Sequence, residues 1–175
     1  YVGLDLIKFL SKHPMVKIKY LCAQKKIGKN IQLFNNKLSK KLPLISNLKL
    51  VNWDSVDLLF CALPNGEAQL LSKKLINKKL HIIDLSADFR LTNTLEYKKF
   101  YGKNHKAKKL INQSIYSVSE FTKKRINQYK IISCAGCYPT SIQLPLLPLI
   151  KKNLINNKNI IIDSKSGYSG AGKNL

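Results

Sequence analysis

The 175-residue sequence has little arginine and little acid. Arg90 and Arg125 are the only arginines among 31 basic residues, and nine residues are acidic, which leaves a net charge of +22. No apolar run approaches the roughly 18–20 residues that a membrane span needs, and no signal-peptide pattern precedes the apolar segment from Leu4 to Ile7. These absences favour a cytoplasmic globular enzyme or binding module without a membrane partner.

The positive charge is carried by 29 scattered lysines, which do not form one stripe interleaved with aromatic residues. Base readout and bidentate phosphate contacts favour arginine instead. Asparagine and isoleucine are also abundant, with 16 and 19 residues, and codons rich in adenine and thymine explain all three excesses at once. We therefore interpret the lysines mainly as solvated surface. Steering of an anionic substrate and weak, salt-dependent binding of nucleic acid are the alternatives.

Four cysteines and three histidines limit the metal and disulfide chemistry. Cys22 and Cys61 lie inside apolar runs and predict small buried side chains. Cys134 and Cys137 form the one close pair, whereas structural zinc needs four ligands and the histidines lie far apart in sequence. No metal site is predicted, and a disulfide framework is not expected.

Strand and helix patterns alternate along the chain with short links. This alternation predicts an α/β fold with a doubly wound parallel sheet and helices on both sides. Polar and glycine-rich segments follow the predicted strands, at the sheet edge where such folds bind ligands. Strands are predicted at 16–23, 56–63, 80–85, 114–118, 130–134 and 158–165, and helices at 4–10, 67–75, 121–127 and 140–152.

The segment from Ser133 to Ser141 follows a strand and opens a helix. Cys137 would lie at the helix N-terminus, where free N–H groups and the helix dipole favour a thiolate. Gly136 lets the backbone approach a ligand closely. The pattern predicts that Cys137 is a nucleophile that attacks a carbonyl. A buried cysteine in a turn and thiol–disulfide exchange with Cys134 are the competing interpretations.

Three further residues are candidates for polar contacts. Arg90 is rare in this lysine-rich chain and suits a forked contact to a carboxylate or phosphate, although pairing with a nearby aspartate is nearly as well supported. Glu120 is a substrate contact, a group that orients an acid or base, or a helix cap. His105 is interpreted as a surface side chain, with a polar contact as the alternative.

The segment 163–173 packs three glycines and three serines into a loop that suits a ring or a phosphate.

In chain order, these segments resemble the N-acetyl-γ-glutamyl-phosphate reductase family of arginine biosynthesis. The most specific matching blocks are Asp84 to Leu91 (DLSADFRL) and Gly136 to Thr140 (GCYPT). Two further blocks are Ala62 to Gly66 (ALPNG) and Lys165 to Gly172 (KSGYSGAG), and the matches span almost the whole chain. Aspartate-semialdehyde dehydrogenases share the chemistry and architecture but resemble the two specific blocks less closely.

The resemblance implies NADPH-dependent reduction of N-acetyl-γ-glutamyl phosphate to N-acetylglutamate 5-semialdehyde. Cys137 would attack the acyl phosphate, phosphate would leave, and hydride would reduce the thioester. It also implies a Rossmann-like NADP-binding domain over 1–153 that lacks its first strand, and the start of an α+β substrate domain of the semialdehyde dehydrogenase type over 154–175. The implied cofactor contacts are Tyr1, Val2, Gly3, Lys25, Lys26, Pro64, Gly66, Ser86, Ser166, Gly167, Ser169, Gly170 and Gly172, and the implied substrate contacts are Arg90, Glu120 and Tyr138.

The chain departs from the family pattern at several positions. Where the family often has Ser-Arg contacts to the NADP 2′-phosphate, Lys25 and Lys26 must serve, and Asn65 replaces a usual histidine. None of the three histidines matches the family's catalytic histidine, so we expect this chain by itself to be inactive. The resemblance also implies that the whole enzyme is a homo-oligomer. Two alternatives remain: an acyl-phosphate reductase of the aspartate-semialdehyde dehydrogenase type, and a non-enzymatic basic module that binds nucleic acid.

Overall fold

The computed structural model describes residues 2–167 and 170. The chain divides into two compact units, and each is described by itself. The first unit comprises residues 1–56 and 166–175, and the second comprises residues 57–165. Every strand pair in the described residues is parallel. The predicted α/β class with a parallel sheet is therefore confirmed.

The first unit contains one helix and a minimal sheet. Helix α1 spans Val2–Leu10, and strands β1 (Leu21–Cys22) and β2 (Ile45–Ser46) pair in parallel. The predicted strand 16–23 thus shrinks to two residues, because β2 offers only two residues for pairing. Successive strand residues face opposite sides, so Leu21 is buried while Cys22 is exposed, and the prediction of a buried Cys22 is wrong. The small core is formed by Leu21, Ile31, Leu38 and Ile45.

The second unit is built on a four-stranded parallel sheet in the order β3-β4-β6-β5. Its central strands β4 and β6 bury the paired side chains of Ile82 and Ile131. Strand β3, predicted from the nearly unbroken apolar run 56–63, lies at the sheet edge, where Leu58 is 39% exposed instead of covered. The strands are β3 Leu58–Cys61, β4 His81–Asp84, β5 Ser114–Ser117 and β6 Ile131–Cys134, and the helices are α2 Glu67–Leu75, α3 Thr94–Tyr101, α4 Ser119–Thr122 and α5 Cys137–Lys151.

The helix boundaries have local causes. The side chain of Asn93 accepts hydrogen bonds from the first backbone N–H groups of α3, and Gly102 ends that helix with φ of +67°. Helix α5 continues through Pro145 and Pro148, which each remove one backbone N–H. The predicted strand 158–165 is wrong for the described residues. The segment has no neighbouring strand, and Ile161 is 96% exposed.

Candidate functional site

The candidate site is the rim of the second unit's sheet, defined here as the loops that follow β3, β4, β5 and β6 (residues 62–66, 85–90, 118 and 135–136, with the first residues of the next helices). Because all four strands are parallel, their carboxyl ends meet at this one edge. The rim gathers seven of the predicted site residues: Pro64, Gly66, Ser86, Arg90, Glu120, Cys137 and Tyr138.

Cys137 is the first residue of α5 and its side chain is exposed. Gly136 caps the helix in an extended conformation, and the N–H of Thr140 closes the first turn on the Gly136 carbonyl at 2.9 Å. The free N–H groups of this first turn and the helix dipole stabilise negative charge. Cys137 therefore lies in a setting that suits an accessible thiolate nucleophile.

The second cysteine of the pair has a different environment. Cys134 ends β6 and is half-buried, and burial raises the pKa of its thiol, with Asp84 acting in the same direction and Arg90 against it. Both cysteines are free thiols. The extended backbone at Gly136 carries the chain away from β6 rather than turning it back. Of the two, Cys137 is the more accessible thiol.

Arg90 links the rim loops through its guanidinium. Its Nε donates to the Cys134 carbonyl at 2.9 Å and its Nη2 donates to the Leu85 carbonyl at 3.2 Å. The remaining group, Nη1, lies so close to Gly136 that a Cβ there would meet it at 3.0 Å. A side chain at position 136 would crowd this group, and Arg90 keeps N–H donors beside the residue that precedes Cys137.

A series of hydrogen bonds through Asp84, Ser86 and Asp88 fixes the loop after β4. The Asp84 carboxylate accepts the Ser86 N–H at 2.9 Å, and the Ser86 hydroxyl accepts the Asp88 N–H at 3.1 Å. The Asp88 carboxylate then accepts the N–H groups of Gly66 at 2.6 Å and Gln69 at 3.1 Å. Asp88, which is fully buried, therefore caps the start of α2 from another loop and fastens two rim loops together.

Tyr97 extends this network into the core. Its hydroxyl accepts from Gln69 Nε2 at 2.7 Å and shares its one proton between Asn65 Oδ1 at 3.0 Å and Asp88 Oδ1 at 3.1 Å. Burial, with Asp88 acting in the same direction, raises the pKa of Tyr97 to about 12. The phenol therefore stays protonated. A small pocket of about 110 Å³ opens beside this network, lined in part by Asn65, Gln69, Tyr97, Lys103 and Lys106.

His105 is a buried crosslink, so its interpretation as a surface side chain is wrong: it is 3% exposed. Nε2 lies 2.9 Å from the Asp88 carbonyl, and Nδ1 accepts the Ala107 N–H at 3.1 Å. These partners fix the neutral tautomer that carries its proton on Nε2. Burial lowers the pKa of His105, with Lys108 acting in the same direction and the contacts to Asp88 opposing it.

The remaining predicted residues lie in both units. On the rim, Glu120 is exposed in the first turn of α4, where Ser119 Oγ donates to it at 3.2 Å, and Tyr138 is 42% exposed beside Cys137. The first unit carries Val2 and Gly3 at the start of α1, Lys25 and Lys26 in an exposed turn after β1, and Ser166, Gly167 and Gly170. Tyr1, Ser169 and Gly172 lie outside the described residues.

Sequence analysis missed the buried supports of the rim. Asp88, Gln69 and Tyr97 hold its loops together, yet none of them was a candidate site residue. The alternation of Asp84, Ser86 and Asp88 in one loop was the available signal, because alternate residues share a side of an extended segment.

The described residues contain neither a metal-binding cluster nor a membrane-spanning helix. Within residues 2–167 and 170, no group of three or more His, Cys, Asp or Glu side chains lies close enough to hold a metal ion. No helix of that part of the chain has the length and apolar character needed to cross a membrane.

Comparison with known proteins identifies relatives over nearly the whole chain. Residues 1–129 match the family model described as semialdehyde dehydrogenase, NAD binding domain, and residues 137–175 match the semialdehyde dehydrogenase dimerisation domain. The chain is 42% identical over 174 residues to the "Probable N-acetyl-gamma-glutamyl-phosphate reductase, chloroplastic" of Arabidopsis thaliana, covering 99% of this chain and 43% of that protein. It is 40% identical to the N-acetyl-γ-glutamyl-phosphate reductase of Rhodospirillum rubrum, covering 99% of this chain and 51% of that protein. This chain therefore spans about half the length of the curated relatives it matches.

A solved structure supports the fold. The crystal structure of aspartate semialdehyde dehydrogenase II from Vibrio cholerae matches with a TM-score of 0.57 over 86% of this chain and 38% of that one, at 17% identity. At that identity the likeness concerns the fold alone. The resemblance to N-acetyl-γ-glutamyl-phosphate reductases seen in the sequence is confirmed by the names of the curated relatives.

Proposed function

This chain belongs to the semialdehyde dehydrogenase family, and from that premise we propose that the protein reduces N-acetyl-γ-glutamyl phosphate to N-acetylglutamate 5-semialdehyde with NADPH. One observation carries the proposal: an exposed cysteine, Cys137, begins α5 immediately after Gly136, the residue that the Arg90 guanidinium approaches. The names of relatives about 40% identical support this substrate over an aspartyl phosphate.

The chemistry begins at the Cys137 sulfur. Its thiolate attacks the carbonyl carbon of the acyl phosphate, a C–S bond forms, and the C–O bond to phosphate breaks as phosphate leaves with the bonding electrons. The first turn of α5 stabilises the thiolate, and the spare N–H donors of Arg90 bind the phosphoryl oxygens as charge develops on them. Glu120 and Tyr138 are proposed neighbours of the rest of the substrate.

The rim residues have the chemistry to hold a dinucleotide. Gly66 has φ of +94°, and a Cβ there would meet no atom within 4 Å, so its backbone is open to a ligand. The Ser86 hydroxyl lies in the loop after β4, where it accepts the Asp88 N–H. Pro64, in the loop after β3, is the third proposed cofactor contact on the rim. A nicotinamide held at this edge would supply hydride chemistry, and the C–S bond to Cys137 would break as the reduced carbon leaves as the aldehyde.

The first unit supplies the remaining proposed cofactor contacts. Val2 and Gly3 lie at the N-terminus of α1, which suits a pyrophosphate. The exposed Lys25 and Lys26 follow β1 and suit the 2′-phosphate that distinguishes NADP from NAD. We propose Ser166, Gly167 and Gly170 for the nicotinamide end, an NADP-binding domain over 1–153, and a substrate domain that begins at 154. The match of residues 137–175 to a dimerisation domain supports a homo-oligomer.

The test uses the intact gene product and follows NADPH oxidation. Cys137→Ser is expected to abolish turnover of N-acetyl-γ-glutamyl phosphate while leaving NADPH binding, measured by fluorescence, unchanged. Cys134→Ser is the matched control and is expected to keep most of the activity. Reductase activity retained in Cys137→Ser would mean that the nucleophile lies elsewhere, and faster turnover of aspartyl phosphate by the unmodified protein would overturn the substrate assignment.

A further inference from the structure

Two fully buried polar side chains lie directly under the rim. Asp84 and Ser133 are register partners at the ends of the adjacent central strands β4 and β6, and both are 0% exposed. Within the described residues, Asp84 Oδ2 and Ser133 Oγ have no hydrogen-bond partner. Folded proteins pair nearly all such buried groups, and a half-satisfied carboxylate is costly to fold around. The Ser86 N–H accounts for one carboxylate oxygen of Asp84, and the buried Oδ2 is left without a structural partner.

The neighbours of Asp84 connect it to the proposed reaction. The residue after Asp84 is Leu85, and the residue after Ser133 is Cys134, and the carbonyls of Leu85 and Cys134 are the two anchors of the Arg90 guanidinium. Asp84 thus lies one residue below the point where Arg90 bridges the two strands.

The groups around Asp84 shift the pKa of its carboxyl in opposite directions. Burial raises the pKa of Asp84, two hydrogen bonds from Ser86 lower it, the charge of Asp88 raises it, and the positive charge of Arg90 lowers it. The same carboxyl raises the pKa of the Cys134 thiol, so its influence extends to the strand that leads to Cys137. Where Asp84 is ionised, its negative charge offsets part of the positive charge that Arg90 presents at the rim.

We propose that Asp84 is a positioning residue whose buried charge weakens the hold of Arg90 on the phosphoryl group, so that phosphate departs after the thioester forms. The identity of the ligand rests on the proposed function, in which Arg90 binds the phosphoryl oxygens. A guanidinium anchored only by neutral carbonyls binds a phosphate dianion more tightly than one with a carboxylate behind it. Keeping that carboxylate lowers the free energy of unfolding, because its Oδ2 is buried without a hydrogen-bond partner.

The test is Asp84→Asn in the intact gene product, because this change removes the charge and keeps the shape. The affinity for inorganic phosphate, measured by calorimetry without substrate, is expected to increase about threefold to tenfold. In the reductase assay, KM for the acyl phosphate and kcat are both expected to fall, the pattern of a ligand held too tightly. A residue with a merely structural role would instead leave phosphate affinity unchanged or reduced.

Stability supplies a second readout that does not depend on catalysis. Asp84→Asn removes the cost of burying an incompletely paired carboxylate, so it is expected to raise the midpoint of thermal unfolding by a few degrees. Ser133→Ala is the matched control, since it removes the other orphaned oxygen without changing charge, and it is expected to leave phosphate affinity unchanged. An equal effect of Ser133→Ala on phosphate affinity would overturn the role of the charge.

The outcomes separate this inference from the proposed function. Turnover of the acyl phosphate by the unmodified protein, with equal phosphate affinity in Asp84→Asn, overturns the inference alone. Tighter phosphate binding in Asp84→Asn, in a protein that turns over no acyl phosphate, supports the inference and overturns the function. Loss of folding in Asp84→Asn, seen as a lower unfolding midpoint, also overturns the inference, because it would show that Asp84 is required for structure.

Discussion

Replacing Asp88 by alanine tests the buried network that fastens the rim loops. The Asp88 carboxylate accepts N–H groups from Gly66 at 2.6 Å and Gln69 at 3.1 Å, and Tyr97 donates to it at 3.1 Å. Loss of a helix cap costs about 1 kcal/mol, and each buried donor left without a partner costs roughly 1–3 kcal/mol. Because the Gly66 contact is only partly buried, we expect Asp88→Ala to lower the free energy of unfolding by about 2–4 kcal/mol.

The assay is urea unfolding of the intact gene product followed by circular dichroism. A loss of this size is a large share of the roughly 5–15 kcal/mol that stabilises a typical domain, so it shifts the urea midpoint clearly. Asp88→Asn should lower the free energy of unfolding by less than Asp88→Ala, because it keeps one acceptor oxygen. Some loss is still expected, since its N–H₂ group faces a backbone N–H donor. Asp163→Ala is the control: its ion pair with Lys165 is highly exposed, and no measurable change is expected. A change below about 1 kcal/mol in Asp88→Ala, with an unaltered m-value, would refute the reasoning.

Three further results are expected. Gly136→Ala should lower kcat at least tenfold, because the new Cβ would press on Arg90 Nη1 at 3.0 Å; normal turnover would show that the Arg90 position is unimportant. The pKa of His105 is lowered in the folded state, so its contribution to stability is full above the unfolded value near 6.5 and is lost as pH falls below it. His105→Gln should therefore flatten the decline of unfolding free energy between about pH 7 and pH 5, and an unchanged slope would contradict this. Replacing Lys25 and Lys26 by alanine should raise KM for NADPH more than KM for NADH, and equal losses would argue against a 2′-phosphate contact.

The local elements of the second unit were largely predictable from the sequence. Helix α2 begins and ends where its pattern of apolar residues predicts, at Glu67 and Leu75, and strand β4 differs from its predicted range by one residue at each end. These segments carry their own signals: an apolar period, turn residues at their ends and an acid in the first helical turn. The predicted strand at 158–165 failed because a strand is defined by a neighbour, and no local pattern supplies one.

The candidate site was only half predictable. The position of Cys137 at a helix N-terminus was predictable because a strand, a glycine and a helix follow one another within a few residues. Arg90 was singled out by its rarity, but its partners, the carbonyls of Leu85 and Cys134, depend on the pairing of β4 with β6. No spacing along the chain predicts a contact between residues 90 and 134.

The sequence by itself determined the alternation of strands and helices, the family and the position of Cys137 at the start of a helix, because each depends on residues close together in the chain. The tertiary structure decided that His105 is buried, that Asp88 caps a helix from another loop and that Asp84 lies under Arg90 with an unpaired oxygen. These features depend on which strands lie side by side and on what is removed from water. Burial and pairing belong to the folded chain as a whole, so they are not encoded in any one segment.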